Sequence, residues 1–274
     1  MLMKPELTLL SVSTAVGSAF IALHGSRQYI LLVHTLIGTI LIGGAAGVLN
    51  QYIERRYDAM MKRTEQRPLP AGRIQPAEAL IFGIVLGIAG LSYLAILTNW
   101  AAVTLSMLTL VSYLVIYTPL KRKTPFATIV GGIPGALPPL IGWTVVRGNV
   151  SMEAWALFFI LFFWQMPHFL SLAWMFRNDY ARASYRLLTV LDTTGIITGR
   201  QILVYSIALI PASLMPMVVG LAGMFYFFSM LILSFGFLVV AINFYRVRTN
   251  AAARKLFYSS LLFLPALFFL IMIF

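Results

Sequence analysis

Nine apolar runs divide this chain of 274 residues, at 7–22, 31–50, 77–98, 101–117, 126–146, 155–175, 202–220, 225–245 and 259–274. A helix of about 20 apolar residues crosses the hydrocarbon of a bilayer, and inside lipid a helix satisfies its own backbone amides and carbonyls. The expected fold is therefore all-α: a polytopic membrane protein of nine transmembrane helices forming one domain over residues 1–274. Composition agrees, because 60% hydrophobic and 10% charged residues, with a mean hydropathy of +0.90, exclude an ordinary soluble domain of this length.

Twenty bases against eight acids leave a net charge of +12, a balance that suggests nucleic acid until the bases are placed between the runs. With the N-terminus cytoplasmic, one face receives Lys4, the bases from Arg55 to Arg73, Lys121–Lys123, Arg177, Arg182, Arg186, Arg200, and those from Arg246 to Lys255. The other face receives Arg27 and Arg147. Eighteen bases against two is a positive-inside signal, giving N-in and C-out for nine spans. The basic excess is topogenic and anion-binding, with no nucleic-acid partner. No cysteine occurs, which excludes disulfides and thiolate metal sites. No long basic, Ser-rich presequence precedes the first run, so the expected location is a bacterial or archaeal cell (plasma or inner) membrane, crossed many times.

The stretch 50–74, NQYIERRYDAMMKRTEQRPLPAGRI, holds three of the eight acids and six of the twenty bases. On a helix Asn50, Glu54 and Asp58 fall at i, i+4 and i+8 and line one face. Arg63, Thr64 and Arg67 follow before Pro68 and Pro70 forbid further helix. Oxygen ligands beside guanidinium forks suit a metal-bound diphosphate. The competing reading is a topogenic loop whose acids pair with its bases.

The pattern N-x3-E-x3-D-x4-R-T-x2-R-P-L-P-x-G-x-I resembles the first aspartate-rich motif of the UbiA-type intramembrane prenyltransferases, with Glu54 where many members have Asp. The initial Lys4-Pro5 is similar to the start of the same proteins. The resemblance implies a UbiA-type helical bundle in which Asn50, Glu54 and Asp58 bind Mg2+ and an isoprenyl diphosphate. Y-T-P-L-K-R, at 117–122, resembles a cytoplasmic segment of that family. It implies Lys121 and Arg122 as phosphate contacts beside Arg63 and Arg67, and Tyr117 as a pocket residue, with a membrane anchor as the alternative for the bases. The small-residue face of the second run (Gly38, Gly43, Gly47) reads as helix packing or as the wall of a prenyl pocket.

The fifth run carries Gly131, Gly132, Pro134, Gly135, Pro138, Pro139 and Gly142, and is expected to be kinked or broken along a cavity. Broken helices also occur in transporters, yet every acid lies near a run's end or in a loop. In the sixth run W-Q-M-P-H-F, at 164–169, resembles the protohaem farnesyltransferase branch, as does D-Y-x2-A from Asp179 to Ala183. Other branches have a second acid at the position of Ala183, and many members of this one have Pro and Met where Arg186 and Leu187 stand. The resemblance implies transfer of a farnesyl group from farnesyl diphosphate to a vinyl group of haem B, giving haem O and diphosphate for terminal oxidases. Asp179 would join Asn50, Glu54 and Asp58 as catalytic metal ligand, on the cytoplasmic face. His168, Arg177 and Arg182 are haem-binding candidates, with a hydrogen-bonded packing role as the other reading of His168. The implied partners are farnesyl diphosphate, haem B and the lipid bilayer, and contact with haem A synthase or terminal-oxidase assembly is left open. Prenyl transfer to an aromatic quinone precursor and membrane transport are the alternatives. Runs seven to nine read as packing, residues 246–255 as a basic anchoring loop, and His24 and His34 as interfacial.

Overall fold

The computed structural model describes residues 2–3, 5–24 and 27–273, and of residues 5–7 the backbone alone. Lys4, read above as a base at the helix entry, lies outside the described residues. The elements run α1 (Pro5–Ala22), α2 (Ile30–Asp58), α3 (Pro76–Leu97), α4 (Trp100–Val111), a π-helical turn (Ser112–Tyr117), α5 (Thr118–Leu120) and α6 (Ala127–Arg147). They continue with α7 (Met152–Met175), α8 (Arg177–Arg182), α9 (Leu188–Leu191), α10 (Ile196–Val218), α11 (Met224–Val247) and α12 (Asn250–Ile273). Among the described residues eight helices are long and apolar enough to cross a membrane: α2, α3, the continuous run Trp100–Leu120, α6, α7, α10, α11 and α12. The apolar part of α1, Thr8–Ala22, is shorter.

The chain forms two compact units. The first comprises Met1–Leu120, Ile133–Val150 and Arg182–Ser184; the second comprises Lys121–Gly132, Ser151–Ala181 and Tyr185–Phe274. In the first, α2 packs against α1 and α3 and touches α4 and the π turn. Small residues permit this closeness. A β-carbon at Gly83 of α3 would stand 2.7 Å from Leu49, and one at Gly47 of α2 would stand 2.9 Å from the Met3 carbonyl. Gly38 lies against Leu94 and Gly43 against Thr8, so this face of α2 packs on protein rather than lining a pocket.

The fifth run, expected to be kinked or broken, is not broken. α6 is one helix with Pro134, Pro138 and Pro139 inside it. Packing and tertiary hydrogen bonds hold it: Gly142 lies directly on the Ala15 carbonyl, the Ser18 hydroxyl donates to the Pro139 carbonyl at 2.7 Å, and the Asn99 amide donates to the Thr144 carbonyl at 2.6 Å. Residues 136–145 are all buried, so this half of the helix belongs to the core. Asn99 also caps α4, its Oδ1 accepting from Ala102 N–H at 3.0 Å, which makes the expected tight hairpin between α3 and α4.

In the second unit α7 packs on α10 and α12, and α11 packs on the same two helices. The expected loop at 246–255 is two residues long. α11 runs to Val247, Arg248 closes it in the left-handed region at φ 52°, and α12 starts at Asn250. Arg254 and Lys255 are therefore helical, because Thr249 caps α12 through Ala252 N–H at 3.3 Å.

Ahead of α10 the Asp192 carboxylate, buried, accepts from Thr198 N–H at 2.7 Å, Thr194 hydroxyl at 2.9 Å and Gly195 N–H at 3.0 Å. Burial raises its carboxyl pKa, but the hydrogen bonds led by the Thr198 backbone outweigh that and leave it below the ordinary 3.8. A depressed folded-state value stabilises the fold above the ordinary carboxylate pKa, and this is lost as pH falls through the folded value. Asp192→Ala should cost about 0.5–2 kcal/mol at pH 7. Thermal unfolding in detergent should show the gap from the parent protein closing as the pH drops below the ordinary carboxylate range.

Candidate active site

α2 stays helical through Asp58, which brings Asn50, Glu54 and Asp58 to successive turns with relative exposures of 0%, 6% and 1%. Buried carboxylates need partners. Asp58 Oδ2 accepts from Arg67 Nη1 at 2.8 Å, and the Asp58 carbonyl accepts from the Thr64 hydroxyl at 2.8 Å. The turn after α2 thus wraps back onto its last residue. Pairing of an acid with a base, the bland reading of this stretch, is realised here, and it also stations a guanidinium at the acidic face. Arg55 lies over the Tyr52 ring, 4.4 Å from its centroid, and donates to the Tyr52 carbonyl. Arg63 is exposed.

Asn50 donates from Nδ2 to Thr118 Oγ1 at 3.0 Å. Thr118 follows the π turn, and both its N–H and its hydroxyl point to the Tyr113 carbonyl. Tyr113 and Tyr117 pack with ring centroids 5.6 Å apart. Sequence reasoning missed Thr118: it lies inside Y-T-P-L-K-R, where only the tyrosine and the bases carried a signal.

Among the described residues no group of three or more His, Cys, Asp or Glu side chains converges as a metal cage. The face of α2 offers two carboxylates and one amide. These are hard oxygen donors, too few for a closed site, and they match Mg2+, which keeps waters and takes substrate phosphates as ligands.

In the second unit the Lys121 carbonyl accepts from Arg186 N–H at 3.1 Å, and its ammonium lies 5.8 Å from the Tyr185 ring centroid. Arg122 is half-buried. Asp179 stands half-buried in α8, and Arg182 is exposed at its end. Ala183 is buried and Ser184 turns the chain at φ 57°, so the position where other branches have an acid is packed here. Arg177 stacks on Trp174, 4.3 Å from the ring centroid, and donates to the Trp174 carbonyl and to Asn250 Oδ1, each at 2.8 Å. It clasps the end of α7 to the start of α12.

The polar members of W-Q-M-P-H-F each hold another helix. Trp164 Nε1 donates to the Ser260 carbonyl at 2.8 Å and Gln165 Nε2 to the Gly132 carbonyl at 2.7 Å. His168 stacks between Trp164 and Phe257, with centroids 4.9 and 4.7 Å away, and its Nδ1 meets Ser260 Oγ at 2.8 Å. Ser260 Oγ lies 2.5 Å from the Phe257 carbonyl, a separation that requires the hydroxyl proton between the two oxygens. Toward His168 the serine oxygen therefore accepts, which assigns the proton to Nδ1 and the lone pair to Nε2. Ser260, ninety-two residues away along the chain, belongs to no motif and was not legible in the sequence. Ser260→Ala leaves a buried N–H unpaired and should cost about 1–3 kcal/mol. Ser259→Ala, whose hydroxyl bonds only to the Lys255 carbonyl at the surface, should leave the thermal midpoint in detergent nearly unchanged.

Residues 10–271 match the UbiA prenyltransferase family. The chain is 42% identical over 281 residues to a protoheme IX farnesyltransferase of Solibacter usitatus, covering 99% of this chain and 96% of the relative. It is 42% identical over 272 residues to the protein of that name from Salinibacter ruber, with the same coverage of both. Two solved folds are also similar. One, from work on a digeranylgeranylglyceryl phosphate synthase, aligns with a TM-score of 0.83 at 15% identity, covering 99% of this chain and 95% of the other. The second is a UbiA homolog from Archaeoglobus fulgidus bound to DMAPP and Mg2+, with a TM-score of 0.68 at 15% identity, covering 100% and 98%. With full-length relatives at this identity and a family match running through both units, the chain belongs to the UbiA prenyltransferase family.

Proposed function

We propose that this chain transfers a farnesyl group from farnesyl diphosphate to a vinyl group of haem B, giving haem O and diphosphate for terminal oxidases. One observation carries the acceptor: relatives that align along nearly the whole chain share the name protoheme IX farnesyltransferase. The reaction class is supported independently by the buried oxygen face of α2 with Arg67 on Asp58.

In this reading Asn50, Glu54 and Asp58 hold Mg2+, with Asp179 of α8 as a further carboxylate. When bound, Mg2+ neutralises the diphosphate and makes it a better leaving group. Arg67, Arg63, Lys121 and Arg122 take the diphosphate oxygens, so charge that builds as the allylic C–O bond breaks meets fixed cations. Arg67 starts on Asp58 and is thus already placed and partly desolvated. Tyr117 walls the pocket. The aromatic α7 keeps water from the allylic cation until a vinyl carbon captures it, and water then adds to complete the hydroxyethyl group. His168 offers Nε2 to the haem or orients a neighbour. Arg182, exposed, suits a haem propionate better than Arg177, which is committed to Trp174 and Asn250.

The same reading treats the chain as one catalytic domain with nine spans, α1 included, N-in and C-out, in the cell membrane. The motif ends of α2, α5 and α7 then face the cytoplasm, where eighteen of the twenty bases fall. Contact with haem A synthase or oxidase assembly is consistent with an apolar product passed on within the bilayer.

The test is mass spectrometry of haems extracted from membranes of a host lacking its own haem O synthase, with and without this chain. A haem carrying a hydroxyethylfarnesyl group is the expected product. Haem B alone, with folded protein present, would remove the acceptor assignment and turn attention to aromatic quinone precursors; absence of diphosphate release with any acceptor would revive transport. Asp58→Ala should lower haem O formation by about 10²–10³-fold while the protein still inserts, and near-normal turnover would take the first motif out of the mechanism.

A further inference from the structure

Four bases of the second unit stand on outward helix faces. On α10 the exposed positions recur at Arg200, Val204 and Ile207, on α11 at Val239, Asn243 and Arg246, and on α12 at Arg254, Lys255, Tyr258 and Leu262. In each helix the base prolongs the stripe that faces away from the protein. All three helices are long and apolar enough to cross a membrane, so the bases lie where the lipid-facing surface meets water. The three ends are neighbours. A β-carbon at Gly199 would stand 2.9 Å from the Tyr245 ring, which puts Arg200 and Arg246, the next residue on each helix, at one crossing. Two residues join α11 to α12, and because α12 is helical from Asn250, Arg254 and Lys255 are fixed one turn from Tyr258 rather than carried on a loop.

Among the described residues none of these four side chains makes an ion pair, a hydrogen bond or a ring contact. The acids of the unit are placed elsewhere. Glu153 opens α7, about 33 Å along the helix from the end that Arg177 clasps to α12. Asp192 is held by Thr194, Gly195 and Thr198, and Asp179 lies in α8. Arg177 supplies the contrast, since at the same end of the bundle it turns inward onto Trp174 and Asn250. A base that only sets topology has to lie near the end of a span; it has no need to share a stripe with lipid-facing side chains or to gather with others from three helices.

We propose that the ends of α10, α11 and α12 form a binding site for an acidic phospholipid. Arg200, Arg246, Arg254 and Lys255 take its phosphate oxygens through charge-assisted hydrogen bonds, and the apolar stripes below them take its acyl chains. Tyr258 sits at the depth where an amphipathic ring meets the headgroups. None of these residues is assigned to the diphosphate or to haem, so the site stands apart from the catalytic reading.

The test is native mass spectrometry of the full-length protein in detergent, offered phosphatidylglycerol and phosphatidylcholine of identical acyl chains. The parent protein should retain phosphatidylglycerol in preference. Arg200→Gln, Arg246→Gln, Arg254→Gln and Lys255→Gln combined should lower that preference by about tenfold; all four are surface side chains without partners, and an unchanged thermal midpoint checks the fold. Replacing the three arginines by lysine should keep the preference. Arg56→Gln, Lys62→Gln, Lys123→Gln and Arg186→Gln combined remove the same charge from other exposed positions and should leave it within twofold of the parent. Equal losses in the two quadruple glutamine variants, or no preference in the parent, would overturn the site. Displacement of the bound lipid by inorganic phosphate alone would overturn the lipid as its ligand, and an acidic protein retained there in place of lipid would do the same.

Discussion

Within hydrocarbon a polar group has no partner except another part of the protein, and that constraint organises this structure. Most hydroxyls in the long helices are neutralised locally. Thr35, Thr39, Thr104, Thr109 and Ser206 each donate to the carbonyl four residues back, which spends their chemistry without a tertiary partner. Polar groups that reach another element act as connectors: the Ser18 hydroxyl to Pro139, the Asn99 amide to Thr144, the Trp164 indole N–H to Ser260, and the Tyr226 hydroxyl to the Ser213 carbonyl. Small residues do the rest, by letting backbones approach within dispersion range.

The same constraint drives the ionic chemistry to helix ends. α2 carries Asn50, Glu54 and Asp58 on successive turns at its end, and the turn beyond returns a guanidinium to Asp58. A carboxylate buried to this degree is tolerable only with such a partner. Around Lys121 in the second unit the same economy holds: a backbone bond from Arg186 and the face of Tyr185 restrain a flexible base.

The helical periodicity of Asn50, Glu54 and Asp58 was legible, because i, i+4, i+8 spacing is a property of a single helix, and so was the stop at Pro68 and Pro70. The fifth run misled as to a break. Three prolines and four glycines favour a break in isolation, yet α6 remains continuous because neighbours bond its carbonyls and bury its second half. Residues 246–255 misled in the opposite way, since bases and an Asn looked like loop while Arg248 in the left-handed region reverses the chain within two residues. W-Q-M-P-H-F was visible as a motif, but its physical content was not. Its polar atoms serve Ser260 and Gly132, which have no sequence signature of their own.

Amino-acid order alone decided what depends on neighbours along the chain: an all-helical membrane protein, the acidic face at the end of α2, the distribution of bases, and the family to which the motifs belong. Apolar length, helical spacing and charge placement are local quantities, so they survive without coordinates. Tertiary structure decided partners and orientation. Asn50 meets Thr118 from sixty-eight residues away and His168 meets Ser260 from ninety-two; how an amide or an imidazole is turned depends on the hydrogen-bonding partner it meets. No pattern of spacings encodes that, because it is set only when separate helices pack.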